Sequence, residues 1–187
     1  MSNQKSYFNY LQKRSILGLL YRKYFLYPKL NSYLRGEVLD IGCGIGDFLA
    51  TRKNITGVDI NEELVKWCCN QGHKAILMEK DLLPFEHQSF DSIIMDNVLE
   101  HIEDPDMILN EANRVLVDNG IFVIGVPGSY GYTKDSDHKI FYNQKKLEKT
   151  IVKHGFVEQH IFSMPLNFTW LDSILSQYCI YGVFIKS

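Results

Sequence analysis

From Glu37 onward, short apolar, β-branched runs alternate with longer stretches whose apolar residues recur every three or four positions. Runs of the first kind fit strands buried on both faces. Their alternation with helical periodicity is the pattern of βαβ units around a mainly parallel sheet. Strands are predicted at 37–41, 55–59, 74–78, 90–95 and 120–126. Between them, 61–70 and 104–117 read as helices, with Asn61 and Asp104 as N-caps, Pro105 in a first turn and Gly120 just beyond the second helix. Residues 127–139, rich in Gly, Ser and Asp, read as a loop facing a substrate, and 143–154 as a helix that stops at Gly155. Strands near 156–162 and 178–185 close the chain as a hairpin-like pair at a sheet edge, separated by a Pro165-containing stretch with a short helix at 171–176.

The opening segment follows a different pattern. Residues 1–36 hold seven Lys or Arg, no acidic residue and six of the eleven tyrosines, whereas the remainder carries 13 basic against 22 acidic residues. Phe8, Leu11, Ile16, Leu19, Leu20 and Tyr24 suit one or two amphipathic helices. Two parts are therefore expected: a basic, aromatic helical lid over 1–36 and one α/β domain over 37–187, the most that 187 residues support. No apolar run approaches the ~20 residues that cross a bilayer, and Met1–Lys5 lacks the order of a secretory signal, so the cytoplasm is the expected compartment. Cys43, Cys68, Cys69 and Cys179 have no CxxC spacing and read as reduced thiols.

The most informative run is Val38-Leu39-Asp40-Ile41-Gly42-Cys43-Gly44-Ile45-Gly46, an apolar strand passing into a glycine-rich turn and then a helix. Such a turn bends sharply and lets the backbone approach a ligand, and open α/β sheets bind ligands at the carboxyl ends of their strands. Asp59 ends the next strand, 17 residues after Gly42, where a carboxylate can accept both ribose hydroxyl hydrogens. Asp81, after the third strand, can accept adenine amino hydrogens while Leu82 packs on the ring. Together the three points trace an adenosine-containing ligand.

With LDIGCGIG, GVDI, DLLPF, FDSIIMDNVLEHIEDP and RVLVDNGIFVIGVP in this order, the chain resembles the class I S-adenosylmethionine-dependent methyltransferases, in their small-molecule group, over roughly 37–127. The resemblance implies a doubly wound, mainly parallel seven-stranded sheet with helices on both faces and an antiparallel last strand, under an N-terminal helical cap. It also implies S-adenosyl-L-methionine as cofactor and S-adenosyl-L-homocysteine as product. By matching position, Asp40, Gly42, Cys43, Gly44 and Gly46 would surround the methionine part, Asp59 and Ile60 the ribose, Asp81 and Leu82 the adenine, and Asn97 and Val98 the sulfonium and its carboxyl tail. The alternatives are a nicotinamide-dependent oxidoreductase and a non-catalytic cofactor-binding regulatory protein. The first is disfavoured by GxGxG spacing in place of GxGxxG, and fold alone does not exclude the second.

On the acceptor side, two histidines are candidate general bases. His101 follows the fourth strand in the loop that borders the methyl group in the resembling family, and His138 stands beside Asp137, which could orient its ring. Ubiquinone-type O-methyltransferases in the group carry a Glu three residues before the matching Glu100-His101 pair. That position is Asn97 here, a poorer ligand for a hard cation than a carboxylate, and no metal is predicted. The expected acceptor is a small molecule methylated on O or N, such as a sugar, a glycan intermediate or a quinone precursor. Lys13, Arg14, Arg22 and Lys23 would favour an anionic acceptor or a peripheral contact with an anionic membrane. The acidic body argues against nucleic acid. Monomer and homodimer are both compatible with the sequence.

Overall fold

The computed structural model describes residues 15–187, so Phe8, Leu11, Lys13 and Arg14 lie outside the described residues. Its centre is a seven-stranded sheet in the order β3-β2-β1-β4-β5-β7-β6. The strands are β1 (Val38–Ile41), β2 (Ile55–Asp59), β3 (Ala75–Leu77), β4 (Phe90–Asp96), β5 (Leu116–Pro127), β6 (Phe156–Met164) and β7 (Cys179–Lys186). The first five pair in parallel, while β7 runs antiparallel to both β5 and β6. The reversed β7, inserted between β5 and β6, completes the expected hairpin-like edge.

Alternation along each strand assigns side chains to two separate cores. Leu39 and Ile41, Ile93 and Met95, and Phe122, Ile124 and Val126 pack with Ile108, Leu109 and Ala112 of one helix and with Leu147 and Ile151 of another. The intervening Val38, Ile94 and Val123 pack on the opposite face with Leu26, Tyr27, Leu30 and Cys68. A sheet covered on both faces needs this two-sided apolar supply, which explains why its strands read as nearly continuous apolar runs.

The helices begin where the sequence signals them. The Asn61 side chain accepts the Glu63 N–H at 3.0 Å before Glu62–Asn70, and Asn143 accepts that of Lys146 at 2.9 Å before Gln144–Val152. Gly155 stops the latter with φ of 81°. Asp104 accepts the Asp106 N–H at 3.2 Å ahead of Asp106–Val115. That helix ends before residue 117 because Leu116, fully buried, pairs with Phe90 and starts β5. Gly120 accordingly lies inside the strand.

Two local expectations are corrected. The glycine turn does not open a full helix: only eight residues separate Gly46 from β2, and they hold a single 3₁₀ turn, Leu49–Thr51. In the opening segment, Ile16–Tyr21, a π-helical stretch Arg22–Leu26 and Tyr27–Asn31 follow one another directly. The residues that anchor it are Leu26, Tyr27, Leu30 and Leu34. Ile16, Leu19, Leu20 and Tyr24, the expected apolar face, are exposed.

Candidate functional site

Strands β1 and β4 are neighbours whose chain connections lead to opposite sides of the sheet, toward β2 and β5. Ligands bind open α/β sheets in the crevice outside the strand ends at such a reversal. Gly42, just beyond β1, has φ of 76°, and a Cβ there would stand 2.4 Å from a Val98 methyl. The turn after β1 and the turn after β4 are thus in direct contact. Gly44 and Gly46 also adopt positive φ.

Asp59, at the end of β2, is buried, and its position is fixed from both sides. One oxygen accepts the Gly44 N–H at 3.0 Å and the other the Asn61 N–H at 2.9 Å. Burial raises its pKa, opposed by the backbone N–H groups of Asn61, Gly44 and Ile60. Met78 N–H donates to the Asp59 carbonyl at 3.0 Å, which carries the chain after β3 past the same strand end. There Asp81 has φ of 61°. Ile60 and Leu82, flanking this region in sequence, are large apolar side chains left 60% and 50% exposed.

Asp40 is buried in β1, and its carboxyl group is held well above the usual range by burial, then by the charges of Asp96 and Asp59. The three strand ends therefore present an acidic centre. Asp96 is embedded further: Tyr181 Oη donates to it at 3.0 Å, Asn97 Nδ2 at 2.8 Å, and Arg22 lies 3.8 Å away. Asn97 has φ of 56°, and its side-chain oxygen accepts from the Cys179 thiol at 3.6 Å. Both polar ends of the Asn97 side chain are thus engaged within the protein. Arg22, Tyr181 and Cys179 belong to this centre without a motif to announce it; the signal available in the sequence was only the basic, aromatic character of the opening segment.

The acceptor-side candidates converge. His101 lies in a 3₁₀ turn, Leu99–His101, and His138 in the loop after the short helix Ser129–Tyr132; their ring centroids are 4.7 Å apart. Lys139 and Ile140 N–H groups donate to the Glu100 carbonyl at 2.7 and 3.1 Å and bring the two segments together. His138 Nδ1 contacts the Tyr132 carbonyl oxygen at 2.7 Å, while its Nε2 lies 3.8 Å from Glu100 Oε1. Burial, then His138, lowers the His101 pKa. Burial pushes Glu100 up to about 8, with its own backbone N–H opposing.

A groove of about 820 Å³ lies between the opening helices and the segment after the glycine turn, lined by Arg22, Lys23, Tyr27, Asp47 and Arg52 among others. Its lining does not include Asp59, Asp81 or His101. The four cysteines are free thiols, and no helix among the described residues is long and apolar enough to cross a membrane.

Residues 39–124 match the family described as methyltransferase domain. An uncharacterized protein of Methanocaldococcus jannaschii is 34% identical over 119 residues, which cover 64% of this chain and 56% of that protein. The human protein named probable tRNA methyltransferase 9B is 30% identical over 110 residues, 54% of this chain and 24% of that one. The chain spans about half the length of the curated relatives it matches. Among solved structures, a methyltransferase of Thermotoga maritima described as S-adenosylmethionine-dependent shares the fold, with a TM-score of 0.79 over 100% of both chains at 19% identity.

Proposed function

We propose that the chain, whose residues 39–124 match the family described as methyltransferase domain, transfers a methyl group from S-adenosylmethionine to an oxygen or nitrogen of a small-molecule acceptor. The observation that carries this reading is the meeting, at one reversal point of the sheet, of the glycine turn, the doubly anchored Asp59 and the acidic strand ends. The residues fit the cofactor chemically. Asp59, held by two backbone N–H groups, keeps lone pairs for ribose hydroxyls; Ile60 and Leu82 offer apolar surface to an adenine face, and Asp81 its carboxylate to the amino group. Gly42, Cys43, Gly44 and Gly46, with Asp40, Asn97 and Val98, would surround the methionine portion.

Bound S-adenosylmethionine supplies a methyl carbon on a sulfonium, and the positive charge disappears as the methyl passes in line to the acceptor. Catalysis then rests on alignment and exclusion of water more than on charge creation. Asp40 and Asp96 favour a cationic ligand in the ground state. His101 and His138 act on the acceptor atom. The opening helices serve as a lid, tied to the strand ends through Arg22 and Asp96, and the cations beside the groove suit an anionic part of the acceptor.

An RNA acceptor is the second reading, favoured by the likeness to the human tRNA methyltransferase-named protein. It is opposed by the 22 acidic and 13 basic residues beyond position 36. Calorimetric titration with S-adenosylmethionine, S-adenosylhomocysteine and NAD tests the cofactor. Binding of the first two without NAD supports the proposal, and binding of NAD alone refutes it. Asp59→Ala should weaken cofactor binding by roughly 10- to 100-fold, the loss of about 1.5–3 kcal/mol for hydrogen bonds to a charged group. His101→Ala should leave that binding intact and lower turnover once an acceptor is found; equal loss of cofactor binding in both variants contradicts this division of roles.

A further inference from the structure

We propose that Glu100, His101 and His138 form a binding site for a divalent transition-metal cation. One ligand atom from each of the three lies within 4.8 Å of the others. Glu100 is 1% exposed, and neither carboxylate oxygen accepts a hydrogen bond from the described residues. A buried carboxylate without a donor is costly, and such groups call for a partner.

The two histidines do not supply that partner in their neutral forms. His138 contacts the Tyr132 carbonyl oxygen through Nδ1 at 2.7 Å. A carbonyl only accepts, so Nδ1 carries the hydrogen and Nε2 turns its lone pair toward Glu100. The His101 ring lies against that of His138, their centroids 4.7 Å apart, and brings a second imidazole to the same carboxylate. His138 thus has one nitrogen fixed by a main-chain oxygen and the other turned to the carboxylate, the arrangement in which metal-ligating histidines are held. When Glu100 is ionised, its carboxylate and the His138 Nε2 lone pair face one another and repel, and a cation among the three groups removes that repulsion.

The donors also choose the ion. Two imidazole nitrogens and one carboxylate suit Zn²⁺, Co²⁺ or Fe²⁺ better than Mg²⁺ or Ca²⁺, which take oxygen ligands. Ligands about 2.1 Å from such an ion stand roughly 3–3.5 Å apart, so the cluster needs to close by about an ångström. Three protein ligands leave a coordination position open. The sequence argued against a metal because Asn97 lacks a carboxylate, but the third donor comes from His138, 37 residues beyond His101. If the chain is a methyltransferase as proposed above, an acceptor oxygen or nitrogen would take the open position. His101 and His138 would then act on it through the cation.

The full chain, freed of metal with a chelator, is titrated with Co²⁺ and followed by visible absorption, with S-adenosylmethionine affinity measured on the same preparation. Expected is one equivalent of Co²⁺ without a thiolate charge-transfer band, which separates this site from the four cysteines. Glu100→Gln and His138→Gln should each weaken Co²⁺ binding at least tenfold, while His160→Gln, on the exposed edge strand, should not change it. Absence of stoichiometric binding, a thiolate band, or variants that bind as the parent does would overturn the site. Should Glu100→Gln fail to fold, His138→Gln decides, because that residue lies in a loop outside both cores. Metal binding without cofactor binding would refute the methyltransferase reading and leave the metal site standing, and the converse result would do the opposite.

Discussion

At the scale of single residues, Gly42 shows how one position joins two halves of the site. Its φ of 76° is a conformation that L side chains rarely adopt, and an added Cβ would also collide with Val98 at 2.4 Å. Gly72 has a similar φ of 82°, and a Cβ added there would meet nothing within 4 Å among the described residues, its chain neighbours aside. Gly42→Ala should therefore cost about 1–3 kcal/mol in backbone strain and further stability from the clash, with loss of cofactor affinity. Gly72→Ala carries the strain alone; thermal denaturation of both variants separates the two terms, and equal losses would mean that the Val98 contact contributes nothing. Gly42, Asp59 and Asp81 were legible because strand ends and positive-φ turns leave local marks. Glu100 was legible only as one of a sequence pair, since its burial and its lack of a partner depend on a loop almost forty residues away.

Among the elements, the helix Asp106–Val115 does more than cover the sheet. Its Glu111 accepts the Leu83 N–H at 2.9 Å, and Arg114, paired with Glu111 at 2.6 Å, donates to the carbonyls of Phe85 and Leu83 at 2.7 and 3.0 Å. This clasp fixes the segment that follows Asp81 and Leu82. Arg114 holds the Glu111 carboxyl below its ordinary value of 4.5, so the folded chain releases a proton that the unfolded chain retains in acid. The contribution is complete above the unfolded value and is lost as pH falls through the folded one. Glu111→Gln should lower the melting temperature near neutral pH and weaken cofactor binding severalfold. The gap in melting temperature from the parent protein should narrow below about pH 4.5, and a gap independent of pH would show that the carboxylate charge is not involved. None of this clasp is visible in local periodicity, which gave the helix but not what its polar face holds. The asparagine caps at 61 and 143 were readable because capping acts within three residues.

For the whole molecule, the opening helices are part of the second core, with Leu30 fully buried beside Leu26 and Tyr27. Leu30→Ala should cost about 2–5 kcal/mol, as do other large-to-small changes in cores, and lower the melting temperature of the complete chain. A negligible loss would instead make the segment a detachable cover. The apolar residues that suggested an amphipathic face, Ile16, Leu19, Leu20 and Tyr24, are exposed. Local hydrophobicity identified a helical segment there, but the register of its buried side was set by where the chain leaves it toward β1.

The sequence by itself determined the parallel α/β architecture, the strand positions, the caps and which residues stand at the strand ends. Each depends on periodicity, on turn chemistry or on the end of a single strand. The tertiary structure alone decided which face of the opening helices is buried, how short the connection after the glycine turn becomes, and how Glu111 and Arg114 clasp the loop after β3. It also decided that Glu100, His101 and His138 share one cluster. Those outcomes depend on packing between segments far apart in the chain, where a side chain's surroundings are set by the strand order and the reversal of β7.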